Sequence, residues 1–317
     1  MLTRFSLFPE QASTVAQRVD ALLYFLLAIT VFFVALIAGL IVYFMVKYRR
    51  RGEAQPPVVH GSLALEAAWT IIPFGLTMII FFWGASIYAS LRRPPDDALQ
   101  IDVVGKQWMW KLQHMEGRRE IDELHIPVGR PVKLVMTSED VIHSFYVPAF
   151  RTKQDVVPGR YTTMWFEATR PGSYHLFCAE YCGTLHSRML GRVIAMEPAA
   201  FQAWLAGAGP GAAAPAPATA GEALFEQLGC VTCHRADGKG LGPSLVGLFG
   251  STVRLQDGRT VAADENYLRE SILTPQAKIT AGYQPVMPTF QGLIHEEDVM
   301  QLIAYIKSLK AESIGRP

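Results

Sequence analysis

The chain is 317 residues long, 50% hydrophobic and only 18% charged, with a formal net charge of +1. That length leaves room for two or three domains, and so little charge argues for a membrane part rather than one large soluble core. The near-neutral balance gives no reason to expect nucleic acid or a strongly acidic partner.

In chain order, residues 1–20 form an N-terminal segment expected on the extracytoplasmic side. Ala21 to Val46 and Ala67 to Leu91 then contain no Asp, Glu, Lys or Arg. Each run exceeds the roughly 20 residues that a helix needs to cross a bilayer. Residues 21–91 therefore read as a transmembrane hairpin, with spans at about 21–46 and 67–89. Pro73 falls early in the second span, where a bend is expected because proline has no N–H to give. The link carries Lys47, Arg49, Arg50 and Arg51 against Glu53 alone. Positive charge beside span ends stays in the cytoplasm, which puts both termini and everything after Leu91 outside. Polar residues from Glu10 to Arg18 separate the start from the first apolar run, unlike a signal peptide, and removal of a leader from a longer precursor stays open.

From Leu99 to about Glu197, short runs such as Leu99-Gln-Ile-Asp-Val-Val and Val132-Lys-Leu-Val-Met alternate with turn material such as Pro158-Gly and Pro171-Gly-Ser. Such spacing predicts a β-sandwich or barrel over residues 98–200. Inside it, Cys178, Cys182, His186 and Met189 crowd into one short run. Thiolate, imidazole and thioether form a soft donor set, which favours copper over magnesium, calcium or manganese. Two coppers bridged by two thiolates need a terminal ligand at each end, and His143 is the best remaining donor. Zinc on Cys178, Cys182, His143 and His186 is the competing reading, and it leaves Met189 without a role. His114, His125 and His175 have no partners at ligand spacing and read as surface or packing residues.

Residues 206–220 are almost wholly Ala, Gly and Pro, the composition of a linker. Over residues 221–312 the pattern turns helical, with helices expected at Glu222–Leu228, Asn266–Leu273 and Glu296–Leu309. Cys230-Val-Thr-Cys233-His234 is a c-type haem attachment motif, offering two thioether bonds and one axial imidazole. Met287, flanked by prolines in Gln284-Pro-Val-Met-Pro288, is the expected second axial ligand. Met300 falls on an amphipathic helical pattern and reads as packing. A His/Met pair raises the haem potential, which suits an electron carrier. All four cysteines fall inside the two motifs, so none remains for a structural disulfide. Two redox centres on one membrane-anchored chain point to electron transfer.

Residues from about 20 to 200 resemble subunit II of the haem–copper oxygen reductases, the cytochrome c oxidase family. The resemblance is carried by Leu65-Glu-Ala-Ala-Trp-Thr-Ile-Ile-Pro73, Gly105-Lys-Gln-Trp-Met-Trp110, Ser138 to Ser144, Val157-Pro-Gly-Arg160 and the Cys178–Met189 run. It implies an all-β, cupredoxin-like domain holding a dinuclear CuA centre. Cys178 and Cys182 would bridge both coppers, His143 and His186 would cap them, and Met189 and the Glu180 carbonyl would be weak axial ligands. It also implies a magnesium shared with subunit I, toward which the Glu180 carboxylate would bridge. Trp108 would be the contact through which electrons arrive, and Glu66 would stand at the mouth of a proton channel into subunit I. Met109 departs from the family pattern, which usually has an aromatic there.

Gly221 to Leu309 resembles a small all-α class I cytochrome c, in which the carbonyl of Pro243 would accept the second ring proton of His234. The fusion resembles subunit II of the caa3-type oxidases. The implied path runs from cytochrome c or a similar donor to haem c, then CuA, then haem a of subunit I, which also carries haem a3 and CuB. There dioxygen is reduced to water and protons are pumped; subunit III is a further expected partner. The resemblance implies a multi-pass protein of the bacterial inner membrane, in contact with lipid, its two soluble domains periplasmic and its haem attached outside the cytoplasm. A flexible linker would hold the haem domain near CuA at an effective concentration on the order of millimolar. A CuA-bearing nitric oxide reductase subunit shares the copper site and differs in its partner subunit. A copper chaperone shares the Cys-x3-Cys pair and a distant His, but not His186, Met189 or the haem domain. Quinol oxidase subunits lack the copper ligands that are intact here.

Overall fold

The computed structural model describes residues 8–50, 52, 61–207 and 212–310. Arg51 and Glu53 of the link, part of the 206–220 stretch, and the ends at 1–7 and 311–317 lie outside the described residues. Helix α1 (Thr14–Lys47) starts ahead of the apolar run, because Ser13 caps it by accepting the Ala16 N–H at 3.1 Å. Its first turns belong to the soluble part: buried Asp20 accepts two hydrogen bonds from Arg151, at 2.8 and 2.9 Å. Helix α2 (Leu63–Leu91) is capped by Ser62 and runs through Pro73 without interruption. A core helix of a soluble protein would bury its apolar residues. Here the most apolar stretches, with mean hydropathy 3.0 and 1.8, are 0% and 6% buried, so lipid is the environment they require.

After α2 come ten strands: β1 (Leu99–Lys106), β2 (Met109–His114), β3 (Arg118–Ile121), β4 (Glu123–Pro127), β5 (Pro131–Ser138), β6 (His143–Val147), β7 (Thr152–Val156), β8 (Thr162–Glu167), β9 (Gly172–Cys178) and β10 (Leu190–Met196). One sheet has the order β3-β2-β1-β5-β8 and the other β4-β10-β9-β6-β7, giving the cupredoxin-like sandwich. Inward residues such as Ile101, Val103, Leu134 and Met136 alternate with outward ones and meet Trp110, Phe145, Phe150 and Phe166 in one core. Each such aromatic, fully withdrawn from water, contributes about 1.5–3 kcal/mol. Helix α3 (Pro198–Leu205) closes one side with Phe201 and Trp204.

Two of the three histidines set aside as surface or packing residues have a partner. His114 and His125, both buried, share the carboxylate of Glu120: His114 Nε2 lies 2.9 Å from Oε2, and His125 Nδ1 contacts Oε1. Burial works against the Glu120 charge, but the two imidazoles outweigh it and hold its pKa below the usual range. Sequence spacing hid the trio because β2, β3 and β4 fold back on one another. His175 is exposed on β9, as expected.

The 206–220 stretch is not one free linker. Ala212–Ala213 forms a short strand, β11, antiparallel to Arg118–Arg119 of β3. Gly117 lets the following segment approach, since a Cβ there would lie 2.2 Å from the Ala214 carbonyl oxygen. Helix α4 (Pro217–Gln227) then begins earlier than the expected Glu222, because proline fits the first helical position.

The C-terminal domain comprises α4, α5 (Cys230–Cys233), a hairpin of β12 (Thr252–Arg254) and β13 (Thr260–Ala262), α6 (Glu265–Leu273) and α7 (Glu296–Ser308). The expected all-α domain thus carries one small hairpin. Asp264 caps α6 and a His295/Asp298 capping box starts α7. The domain sits on the outer face of the β1–β5 pair, where Val104, Val135 and Tyr161 join its apolar core.

Asp102 lies on that same outer face and is only 6% exposed. Burial raises its pKa to about 6. A carboxyl whose folded pKa is raised favours the fold when protonated, and that contribution is lost as pH climbs from about 4 through about 6. Asp102→Asn is therefore expected to stabilise the chain at pH 7, by about 2–3 kcal/mol, with no gain near pH 4. Thermal unfolding of the full chain at both pH values measures this; a gain of equal size at both would refute the assignment.

Candidate metal centre and haem cavity

The first site is assembled at one end of the sandwich by strand pairing. Strands β6 and β9 pair with Phe145 opposite Cys178, which brings His143, at the start of β6, beside the end of β9. The loop after Cys178 turns back through a 3-10 turn at His186–Arg188 and re-enters the sheet as β10. Cys178 Sγ lies 3.8 Å from Cys182 Sγ and 3.9 Å from His143 Nδ1. Cys182 Sγ lies 3.4 Å from His186 Nδ1 and 3.8 Å from Met189 Sδ. The Glu180 carbonyl oxygen is 3.2 Å from Cys178 Sγ, while its side chain stays exposed. Every donor named from the sequence for this centre thus converges on the two sulfurs.

The surroundings hold these donors rigidly. His143, Cys182 and Met189 are 0%, 2% and 0% exposed. Gly105 must be glycine where it passes the His143 ring, since a Cβ would lie 2.9 Å from Cδ2. The other ring nitrogen of His143, Nε2, lies 2.8 Å from Asp140, which leaves Nδ1 facing the sulfurs. Gln107 donates to the Cys182 carbonyl at 2.8 Å, and the Gln107 N–H donates to Asp140. Trp108 packs against Gly183 of the same loop, so it touches the centre's outer wall. Sequence reasoning passed over Asp140 and Gln107, although an acid three residues before a ligating His was a usable signal.

The electrostatics suit a metal. Burial opposes ionisation of Cys178, but contacts from His143 and backbone N–H donors bring it down to about 6. Burial and the neighbouring Cys178 sulfur push Cys182 up to about 12. Burial lowers the affinity of His143 for a proton, yet Cys178 and Asp140 raise it overall. A cation between the sulfurs would relieve this crowding by taking both as thiolates. Two thiols, two imidazoles, a thioether and a carbonyl form a soft set that fits copper. The zinc alternative leaves the buried Met189 sulfur unused.

The second site is a largely apolar cavity of about 400 Å³ in the C-terminal domain. Cys230, Cys233 and His234 line one side, and Met287 lines it as well. The Pro243 carbonyl is 2.9 Å from His234 Nδ1, as the resemblance implies for a ligating imidazole. Gly242 passes so close to that ring that a Cβ would lie 2.7 Å from Cε1. Met300 instead packs in the interface with the β domain, beside Val104. An apolar cavity with two thiols, an imidazole and one thioether on its wall fits haem c.

Glu66 joins neither site. It stands exposed in the first turn of α2, roughly 37 Å along the helix from the end that meets the β domain.

Three family models match the chain: the cytochrome c oxidase subunit II transmembrane domain over residues 3–87, its periplasmic domain over 118–196, and cytochrome c over 218–310. Cytochrome c oxidase subunit 2 of Alkalihalophilus pseudofirmus is 36% identical, across 84% of this chain and 80% of the relative. The subunit 2 of Thermostichus vulcanus is 32% identical, across 62% of this chain and 77% of the relative. The solved periplasmic domain of subunit II from Bradyrhizobium japonicum is 29% identical, covering 36% of this chain and 95% of that one, with a TM-score of 0.35.

Proposed function

The chain belongs to the cytochrome c oxidase subunit II family, and we propose that it is the electron-carrying subunit of a caa3-type oxidase. As a family member it is a membrane-anchored part of an oxygen-reducing terminal oxidase, working beside subunit I, with a copper CuA domain and a fused cytochrome c domain. Electrons from cytochrome c or a similar donor reach haem c, pass to a dinuclear CuA, and leave for haem a of subunit I, where dioxygen becomes water and protons are pumped. The chain would span the bacterial inner membrane twice, with subunit III as a further neighbour.

The observation that carries this reading is the convergence of His143, Cys178, Cys182, His186 and Met189 on two sulfurs 3.8 Å apart, in a chain that also holds a Cys-x-x-Cys-His cavity. When bound, haem and copper supply one-electron chemistry. The residues hold them, shield them from water and limit movement. In this reading Cys178 and Cys182 would hold the copper as thiolates, with His143, His186, Met189 and the Glu180 carbonyl as the other donors. The exposed Glu180 carboxylate is free to reach a magnesium shared with subunit I. Cys230 and Cys233 would anchor the haem, and His234 and Met287 would offer its iron an imidazole and a thioether. Trp108, against the copper loop, is the contact for incoming electrons, and Glu66 opens the proton channel.

The test is oxygen uptake by the purified complex supplied with reduced cytochrome c. Turnover is expected, with copper and covalent haem in the same preparation; reduction of nitric oxide without oxygen uptake would overturn the proposal. Glu66→Gln is expected to slow turnover severalfold with metal and haem contents unchanged, and unaltered turnover would remove its role.

A further inference from the structure

The outer face of a sandwich sheet usually carries polar residues, and Val104 of β1 and Val135 of β5 break that rule. Val104 and Val135 point away from the sandwich core and belong to the apolar cluster of the cytochrome domain. Around them run specific polar contacts between the domains. Asn266 Oδ1 accepts the Tyr161 N–H at 2.8 Å, Arg269 donates to the Gly159 carbonyl at 2.6 Å, and Lys307 donates to Gln100 at 3.0 Å. The 206–220 stretch is itself strapped to β3 through β11.

One contact reaches from this seat to the copper side. Lys111 Nζ lies 2.6 Å from Glu297 on α7 and 2.8 Å from Glu139. Glu139 is further held by Lys106 at 2.9 Å, and its N–H donates to the Gly105 carbonyl. The next residue, Asp140, orients His143. Lys111 and Glu297 are each 28% exposed, so water screens their attraction only in part.

We propose that Lys111 is a positioning residue that couples the two redox modules. It latches the cytochrome domain onto the β1–β5 face through Glu297, and by holding Glu139 it steadies the Asp140–His143 pair at the copper site. The inference rests on the functional reading only for the identity of the bound groups; the seat itself is a property of the polypeptide.

The experiment is hydrogen exchange on the intact purified complex, with copper and haem counted in the same samples. Lys111→Met is expected to speed exchange of amides at the start of α7 and in β1 by roughly three- to tenfold. Lys111→Arg should retain the protection. Glu297→Gln should loosen α7 to the same degree, and the double variant Lys111→Met/Glu297→Gln should be no looser than either single one. Transfer of an electron from the haem to the copper, followed optically, should slow in Lys111→Met and recover in Lys111→Arg. Unchanged protection in Lys111→Met, additive loosening in the double variant, or loosening with an unaltered transfer rate would each overturn the proposal. Missing copper or haem in the unmodified complex would count against the functional reading instead, and the exchange data would still decide the latch.

Discussion

Cys178→Ser is expected to leave the purified chain without copper while its haem remains attached. Contacts from His143 and backbone N–H donors bring the Cys178 thiol down to about 6, which favours the thiolate, and its Sγ is central to the donor set. It faces Cys182, His143 and the Glu180 carbonyl within 3.9 Å. A serine hydroxyl is harder, does not ionise near neutrality and cannot bridge soft metal ions as a thiolate does. Loss of an outer hydrogen-bond partner of a ligand typically costs 10–100-fold in affinity, so loss of this ligand should exceed about a hundredfold. The haem motif lies in another domain with its own core, so Cys230 and Cys233 should be unaffected. Elemental analysis for copper beside a haem assay of the same sample gives the answer. Copper retained at the unmodified level would mean that the sulfur pair is not the centre.

The proposed copper donors were readable because four of the side chains fall in one short run, and the fifth, His143, lies in a motif that could be quoted. What could not be read depends on sheet register. Asp140 is the exception, a local partner three residues before His143 that the spacing already offered. Glu120 meets His114 and His125 only when β2, β3 and β4 pack together. The seat of the cytochrome domain was hidden for a related reason. Val104 and Val135 look like further core residues in an apolar strand, and only the pairing of Asp102 opposite Val135 puts them on the outer face. Composition misled at residues 206–220, because Ala, Gly and Pro describe a linker equally well as a strap followed by a proline-initiated helix. Met287 shows the opposite case: two flanking prolines announced a fixed loop, and that loop lines the haem cavity.

Gly221→Ala is expected to destabilise the cytochrome domain, against the ordinary rule that alanine outperforms glycine inside a helix by about 0.5–1 kcal/mol. Gly221 lies within α4 at its crossing with α7. A Cβ there would stand 1.9 Å from the Gln301 carbonyl oxygen, 2.5 Å from its carbon and 3.0 Å from Tyr305 Cβ. Two of these are backbone atoms of α7, so no side-chain rotation relieves the clash and the helices must separate. Phe225 then loses its packing on Tyr305, where the rings are 5.3 Å apart. Overpacking of this kind costs about 1–3 kcal/mol, and a clash with backbone belongs at the upper end, so it outweighs the helix-propensity gain. For a domain of this size about 2 kcal/mol should lower the midpoint by roughly ten degrees. The haem absorbance, followed on heating, reports that midpoint, because Phe225 from α4 and Leu302 and Ile306 from α7 wall the haem cavity. Copper content should stay constant, since the β sandwich has a separate core. A midpoint raised by the substitution would show that α4 and α7 have room to spare, and that the glycine is there for some reason other than close approach.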